Sequence, residues 1–127
     1  MTPAEVLAAA RDLLDRPASA GTGGWQRAVA LLTRQALEQG LDEFWAVDPA
    51  TAGLGQATTK SQLACLPAYV QPRLARDISY VWSALSSACH YHPYDLAATG
   101  AELTGWIDAV DGLLAALSGR RDRAASG

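Results

Sequence analysis

Among its 127 residues the chain has one lysine, Lys60, two histidines, two cysteines, one methionine and one phenylalanine. Each scarcity excludes something. Cys65 and Cys89 lack CxxC spacing, and no secretory apolar segment precedes them. Two free thiols in a reduced, cytoplasmic, soluble protein are therefore expected. No apolar run approaches the ~20 residues that a membrane span needs. GxGxxG, GxxxxGKS/T and GxSxG are all missing. No phosphate loop, dinucleotide site or nucleophile elbow is predicted, and no cofactor. Period-two alternation is absent too, and with it the pattern of a half-buried strand.

Positive charge is scarce as well. The net charge is −3, and Arg120, Arg121 and Arg123 against Asp122 give the tail +2, which leaves −5 on residues 1–119. Phosphate-binding faces need clustered Lys and Arg, so an acidic body does not support nucleic-acid binding. Only Arg73 and Arg76 make a small basic patch. What is abundant is alanine, about a fifth of the chain, which beside a single lysine suggests a high-GC bacterial coding bias.

The apolar residues recur at helical spacing. Thr2-Pro3-Ala4-Glu5 is a capping box opening a helix with Val6, Leu7, Ala10, Leu13 and Leu14 inward, ended by Arg16-Pro17. After a Gly-rich connection, a second helix is predicted over Trp25–Val47. Trp25, Ala28, Val29, Leu32, Ala36, Leu41, Phe44 and Trp45 form its stripe, and Gly40 inside it lets another helix approach. Residues 48–58 read as a loop. Thr59 to Gln62 resembles a further capping box, and Pro67 and Pro72 predict a kinked helix pair over 59–91. Thr99 and Glu102 open a last helix, with Gly119 as its C-terminal cap. The expected fold is all-α: one domain over residues 1–119, a four- to five-helix antiparallel bundle with a Pro-kinked third and fourth pair. The tail 120–127 is expected to be disordered.

The unusual chemistry concentrates in WSALSSACHYHPYDLAATGAELTGW, residues 82–106, which hold both histidines, Cys89, Tyr91 and Tyr94. Cys89, His90, His92 and Asp95 are capable metal ligands, yet neighbours one and two apart on a helix diverge, and no second ligand cluster completes four. No metal is expected. The ordinary role for the histidines is to end a helix, where they favour the dipole. As acid–base groups, His90 or His92 would work with Asp95, Arg73 or Arg76. Tyr91, His92 and Tyr94 with Arg73 are the candidate interface residues, since amphipathic rings recur at interfaces. On the second helix, Arg34 and Glu38 are read as an exposed i,i+4 pair, with Gln35 semi-buried. A pocket between helices lined by tryptophan is a further alternative.

AVALLTRQALEQGLDEFW, residues 28–45, with Gln35, Ala36, Leu37 and Glu38, resembles the corresponding helix of HEPN-domain proteins. ACHYHPYDLAATGAEL, residues 88–103, is similar to a segment of small uncharacterised actinobacterial proteins. The HEPN likeness implies an antiparallel bundle that often dimerises. Many members of that family are metal-independent ribonucleases or partner-binding modules in toxin–antitoxin and defence systems. Their catalytic motif is Arg followed four to six residues later by His, and no arginine here has a histidine at that spacing. The expected function is therefore non-enzymatic, the binding of another protein or of a second copy of the chain. The alternatives are a His-dependent ribonuclease-type enzyme and a small-ligand sensor.

Overall fold

In the computed structural model, residues 1–16, 24–90 and 96–126 are described, with side chains placed as far as Arg120. They contain five α-helices and no strand: α1 Pro3–Asp15, α2 Trp25–Ala46, α3 Thr59–Cys65, α4 Pro72–Cys89 and α5 Gly100–Ser126. Short 3-10 helices occupy Ala52–Gln56 and Leu66–Ala68. The chain is an all-α bundle.

Most element boundaries follow from local chemistry. Thr2 accepts from the Glu5 amide while the Glu5 carboxylate reaches back to the Thr2 amide, so two otherwise orphaned N–H groups are satisfied. Thr99 and Glu102 repeat the arrangement at the start of α5. Proline at the first turn of α4 needs no amide partner. Pro67 has no N–H to continue the ladder, and α3 gives way at Leu66 to a tight 3-10 turn. Gly24 precedes α2 at φ 80, a left-handed conformation that glycine adopts without strain.

Two boundaries differ from the sequence expectation. The cap of α3 is Thr58, not Thr59: its hydroxyl accepts from the Ser61 amide. That one-residue shift frees Thr59 and Gln62 for tertiary bonds. The last helix also does not stop at Gly119 but continues through the expected disordered tail to Ser126. Glycine permits a cap without enforcing one. The Arg and Ala residues beyond it are good helix formers, and cations suit a helix C-terminus. Arg120 Nε ties this extension to the Tyr69 carbonyl at 3.3 Å.

The order around the bundle is α1, α2, α4, α5. Helix α2 packs against α1, α4 and α5, and α5 packs against α1, α2 and α4. Thr2 and Leu7 share a hollow with Phe44 and Leu117 while Arg11 reaches back to Asp108. Tyr69 meets Trp45 while Trp82 meets Glu38, and Ala88 lies by Glu102 while Leu74 lies by Ala116. Helices α1 and α4 therefore run opposite to α2 and α5, which face each other across the short diagonal. Gly40 makes that diagonal possible, because a Cβ there would overlap Leu114 Cδ2. Val29, Ala36, Leu37, Leu41, Ile78, Leu85, Ile107 and Val110 fill the centre.

Fully buried Trp45 anchors the connection between α2 and α4. Its Nε1 donates to Gln62 Oε1 at 3.1 Å, and Gln62 Nε2 donates to the Ala57 carbonyl at 3.0 Å. The Thr51 hydroxyl donates to the Trp45 carbonyl at 2.9 Å, and Phe44 and Tyr69 meet the indole edge to face. A buried amide with all these partners costs little, whereas one left unpaired costs about 1–3 kcal/mol.

Gly40→Ala gains about 1 kcal/mol of helix propensity but requires Leu114 to move. Its effect in the wild type should fall about 1–3 kcal/mol short of its effect in a Leu114→Ala background. Urea midpoints of the four proteins in the cycle measure this, and additivity would show that the diagonal is not closed at Gly40.

Candidate functional site

Two of the four tryptophans use their indole N–H to tie α2 to other elements, and Trp82 marks a polar seam between α2 and α4. Glu38 of α2 is central to it. Its Oε2 accepts from Trp82 Nε1 at 3.3 Å and from Thr59 Oγ1 at 3.0 Å. Its Oε1 stands 3.8 Å from Arg34 Nε, an ion pair too long for a hydrogen bond. The Arg34 side chain is only 20% exposed and that of Glu38 30%. The expected solvated pair is thus partly buried under α4, and Gln35, expected to be semi-buried, is exposed. The buried polar residue of that turn is Thr33, whose hydroxyl donates to the Val29 carbonyl at 2.7 Å.

The stripe Trp82, Ser86, Cys89 on α4 continues the seam at i, i+4, i+7. Because α2 and α4 are antiparallel, one turn past the Trp82–Glu38 contact brings Ser86 level with Arg34. Arg34 Nε and Ser86 Oγ are both buried without a hydrogen-bond partner. Cys89 follows, buried. Burial pushes its thiol up, against the lowering pull of Arg34 and then Arg27, with Glu38 adding to the rise. A thiol held neutral in this way is a packing group and a poor nucleophile.

The residues expected to carry chemistry are not brought together. His90 is exposed and caps α4, its amide donating to the Ser86 carbonyl at 3.1 Å. Arg73 and Arg76 are exposed on the first turns of the same helix. His90 and Arg76 are 14 positions apart (90 minus 76), about 21 Å at the helical rise. Arg73 is farther still. Within one chain that separation keeps His90 from pairing with Arg73 or Arg76. Tyr91, His92, Tyr94 and Asp95 lie outside the described residues. Among the described residues no group of three His, Cys, Asp or Glu converges as metal ligands, and no helix is long and apolar enough to cross a membrane.

The sequence contained one usable signal for the seam. Ser86 falls on the inward stripe of α4 between Trp82 and Cys89, where a hydroxyl needs an acceptor or donor either from its own helix, as Thr33 finds, or from another helix. Which helix supplies it depends on packing.

A second surface runs along the outside of α4 and α5. Three separate hollows, of about 490, 360 and 550 Å³, follow the antiparallel pair from Ala88 and Trp106, past Val81 and Ala109, to Leu74 and Ala116. Leu96 is 97% exposed at one end and Tyr80 73% exposed midway.

Compared with known proteins, the chain matches no family model, no curated protein and no solved structure.

Glu38→Ala removes the acceptor of Trp82 and Thr59 and the counter-charge of Arg34. Because the carboxylate is partly exposed, it should lower stability by about 1–2 kcal/mol, read from denaturant midpoints. At neutral pH an alkylating agent should label Cys65, which is exposed, and leave Cys89 unlabelled until unfolding, as peptide masses would show. The raised Cys89 value contributes stability that is complete below the ordinary thiol range and lost as pH rises through the folded value. Cys89→Ala should flatten that alkaline loss.

Proposed function

We propose that the protein is a non-enzymatic binding module that pairs with a second copy of itself through the outer face of α4 and α5. The supporting observation is the row of three hollows along that face, which carries its own knobs. Leu96 and Tyr80 project beside hollows floored by Ala84, Ala88, Ala109 and Gly112. A patch with knobs and hollows together is self-complementary about a two-fold axis, where each copy's knobs enter the other's hollows. Burying one leucine side chain is worth about 1.5–3 kcal/mol, and a two-fold axis doubles each such contact.

Charge supports the same occupant. Arg120 lines one end of the face, beside the first turns of α4 that carry Arg73 and Arg76, Asp77 and Asp108 line its middle, and Glu102 lines the other end. An antiparallel pairing sets the basic end of one copy against the acidic end of its partner, which favours register and encounter. The 18 residues of α4 provide a face about 27 Å long, compatible with the ~800 Å² per partner of a stable interface. The HEPN-like likeness of residues 28–45 agrees with a dimerising bundle and supports a setting in a bacterial defence or toxin–antitoxin-type system. The RNA-cleaving alternative draws no support from exposed, widely separated His90 and Arg76.

Light scattering tests the reading. The wild type should have twice the 13.3 kDa chain mass, and Tyr80→Glu/Leu96→Asp should have the single-chain mass with unchanged far-ultraviolet circular dichroism. A wild type that stays at single-chain mass up to concentrations on the order of 10⁻⁴ M, where interfaces of standard size are occupied, would sink it.

A further inference from the structure

We infer that the α2–α4 seam is a binding site for a small oxyanion, a carboxylate or phosphate group, held between the Arg34 guanidinium and the Ser86 hydroxyl with Arg27 at its mouth. The inference concerns the opposite flank of α4 from the outer hollows and does not rest on self-association.

Three observations carry it. First, Arg34 Nε and Ser86 Oγ are both buried donors without a partner. Buried polar atoms in folded proteins are nearly always paired with protein, water or an ion, and an orphaned arginine N–H is costly. The antiparallel register sets these two at the same level, one turn from the Trp82–Glu38 bond, so a single acceptor would satisfy both.

Second, Glu38 cannot fill that role. One of its oxygens is committed to Trp82 and Thr59, and the other remains 3.8 Å from Arg34 Nε. The two bonds that orient the carboxylate keep its other oxygen beyond hydrogen-bond distance, leaving the Arg34 Nε–H without an acceptor from the protein.

Third, the seam is locally cationic within an acidic chain. Arg27 and Arg34 against Glu38 give +1, while the chain as a whole is −3. Both arginines act on the buried Cys89 thiol, which places them along its length. Arg27, two turns before Arg34 on the same stripe of α2, is exposed, so the seam reaches solvent at that end. Arginine with a hydroxyl is a common oxyanion donor set, because the planar guanidinium can meet two oxygens at once. The missing partner is an acceptor, and a cation would meet two positive side chains.

The experiment uses the intact chain, with inorganic phosphate and acetate as separate probes at matched ionic strength against chloride. The reporters are the Arg34 side-chain Nε–H and the Ser86 amide in a ¹⁵N correlation spectrum. A saturable shift at both is expected, leaving Arg73 and Arg76 unmoved. Ser86→Ala should weaken it on the order of fivefold, the worth of one hydrogen bond, and Arg34→Gln should abolish the response at Ser86. If acetate binds as tightly as phosphate, the site takes carboxylates; if only phosphate saturates, it takes phosphoryl groups. The inference is overturned if neither probe shifts Arg34 Nε–H beyond chloride, if the exposed arginines shift equally, or if the N–H shows only a bound-water cross-peak that neither probe displaces.

Discussion

One helix has to be covered on three sides, and much of the molecule follows from that constraint. Helix α2 meets α1, α4 and α5, so around Gly40 and Trp45 it cannot keep the single apolar stripe of a surface helix. At Gly40 the solution is to remove the side chain, and Leu114 of α5 occupies the vacated space. At Trp45 it is a large side chain whose one polar atom is satisfied by Gln62. Toward α4 the solution differs. Arg34 and Glu38 remain charged under partial cover, and their bonding is divided among α3, α4 and each other.

The seam and the outer hollows sit on opposite flanks of α4 and differ in chemistry. The outer hollows are lined in part by alanine and glycine beside exposed Leu96 and Tyr80. The seam holds charge at close quarters, where desolvation raises the cost of every unmade bond. Partly buried ion pairs add little net stability compared with apolar packing of the same volume.

Much of the fold was legible because it is written in local chemistry. Thr2 with Glu5 and Thr99 with Glu102 form their boxes from residues three apart. Pro67 and Pro72 divide α3 from α4 through an absent N–H, and Val6, Leu7, Ile78, Leu85, Leu103 and Ile107 lie on the stripes that their spacing announced. The candidate site was less legible. Thr58 and Thr59 are equivalent as caps in sequence, and only the pull of Glu38 and Trp45 on Thr59 and Gln62 distinguishes them. Arg34 and Glu38 satisfy the i,i+4 rule whether they face water or another helix.

By itself, then, the sequence determined helix type, most helix limits, most of the apolar residues that turn inward, and an overall scarcity of cations. These depend on interactions within about four positions along the chain, or on composition. Tertiary structure alone decided that α2 and α5 close a diagonal over Gly40, that Ser86 stands level with Arg34, and that His90 and Arg76 lie far apart on one helix. Those relations depend on how rigid rods pack and in which register, and residue spacing along a single helix carries no information about the helix that will lie against it.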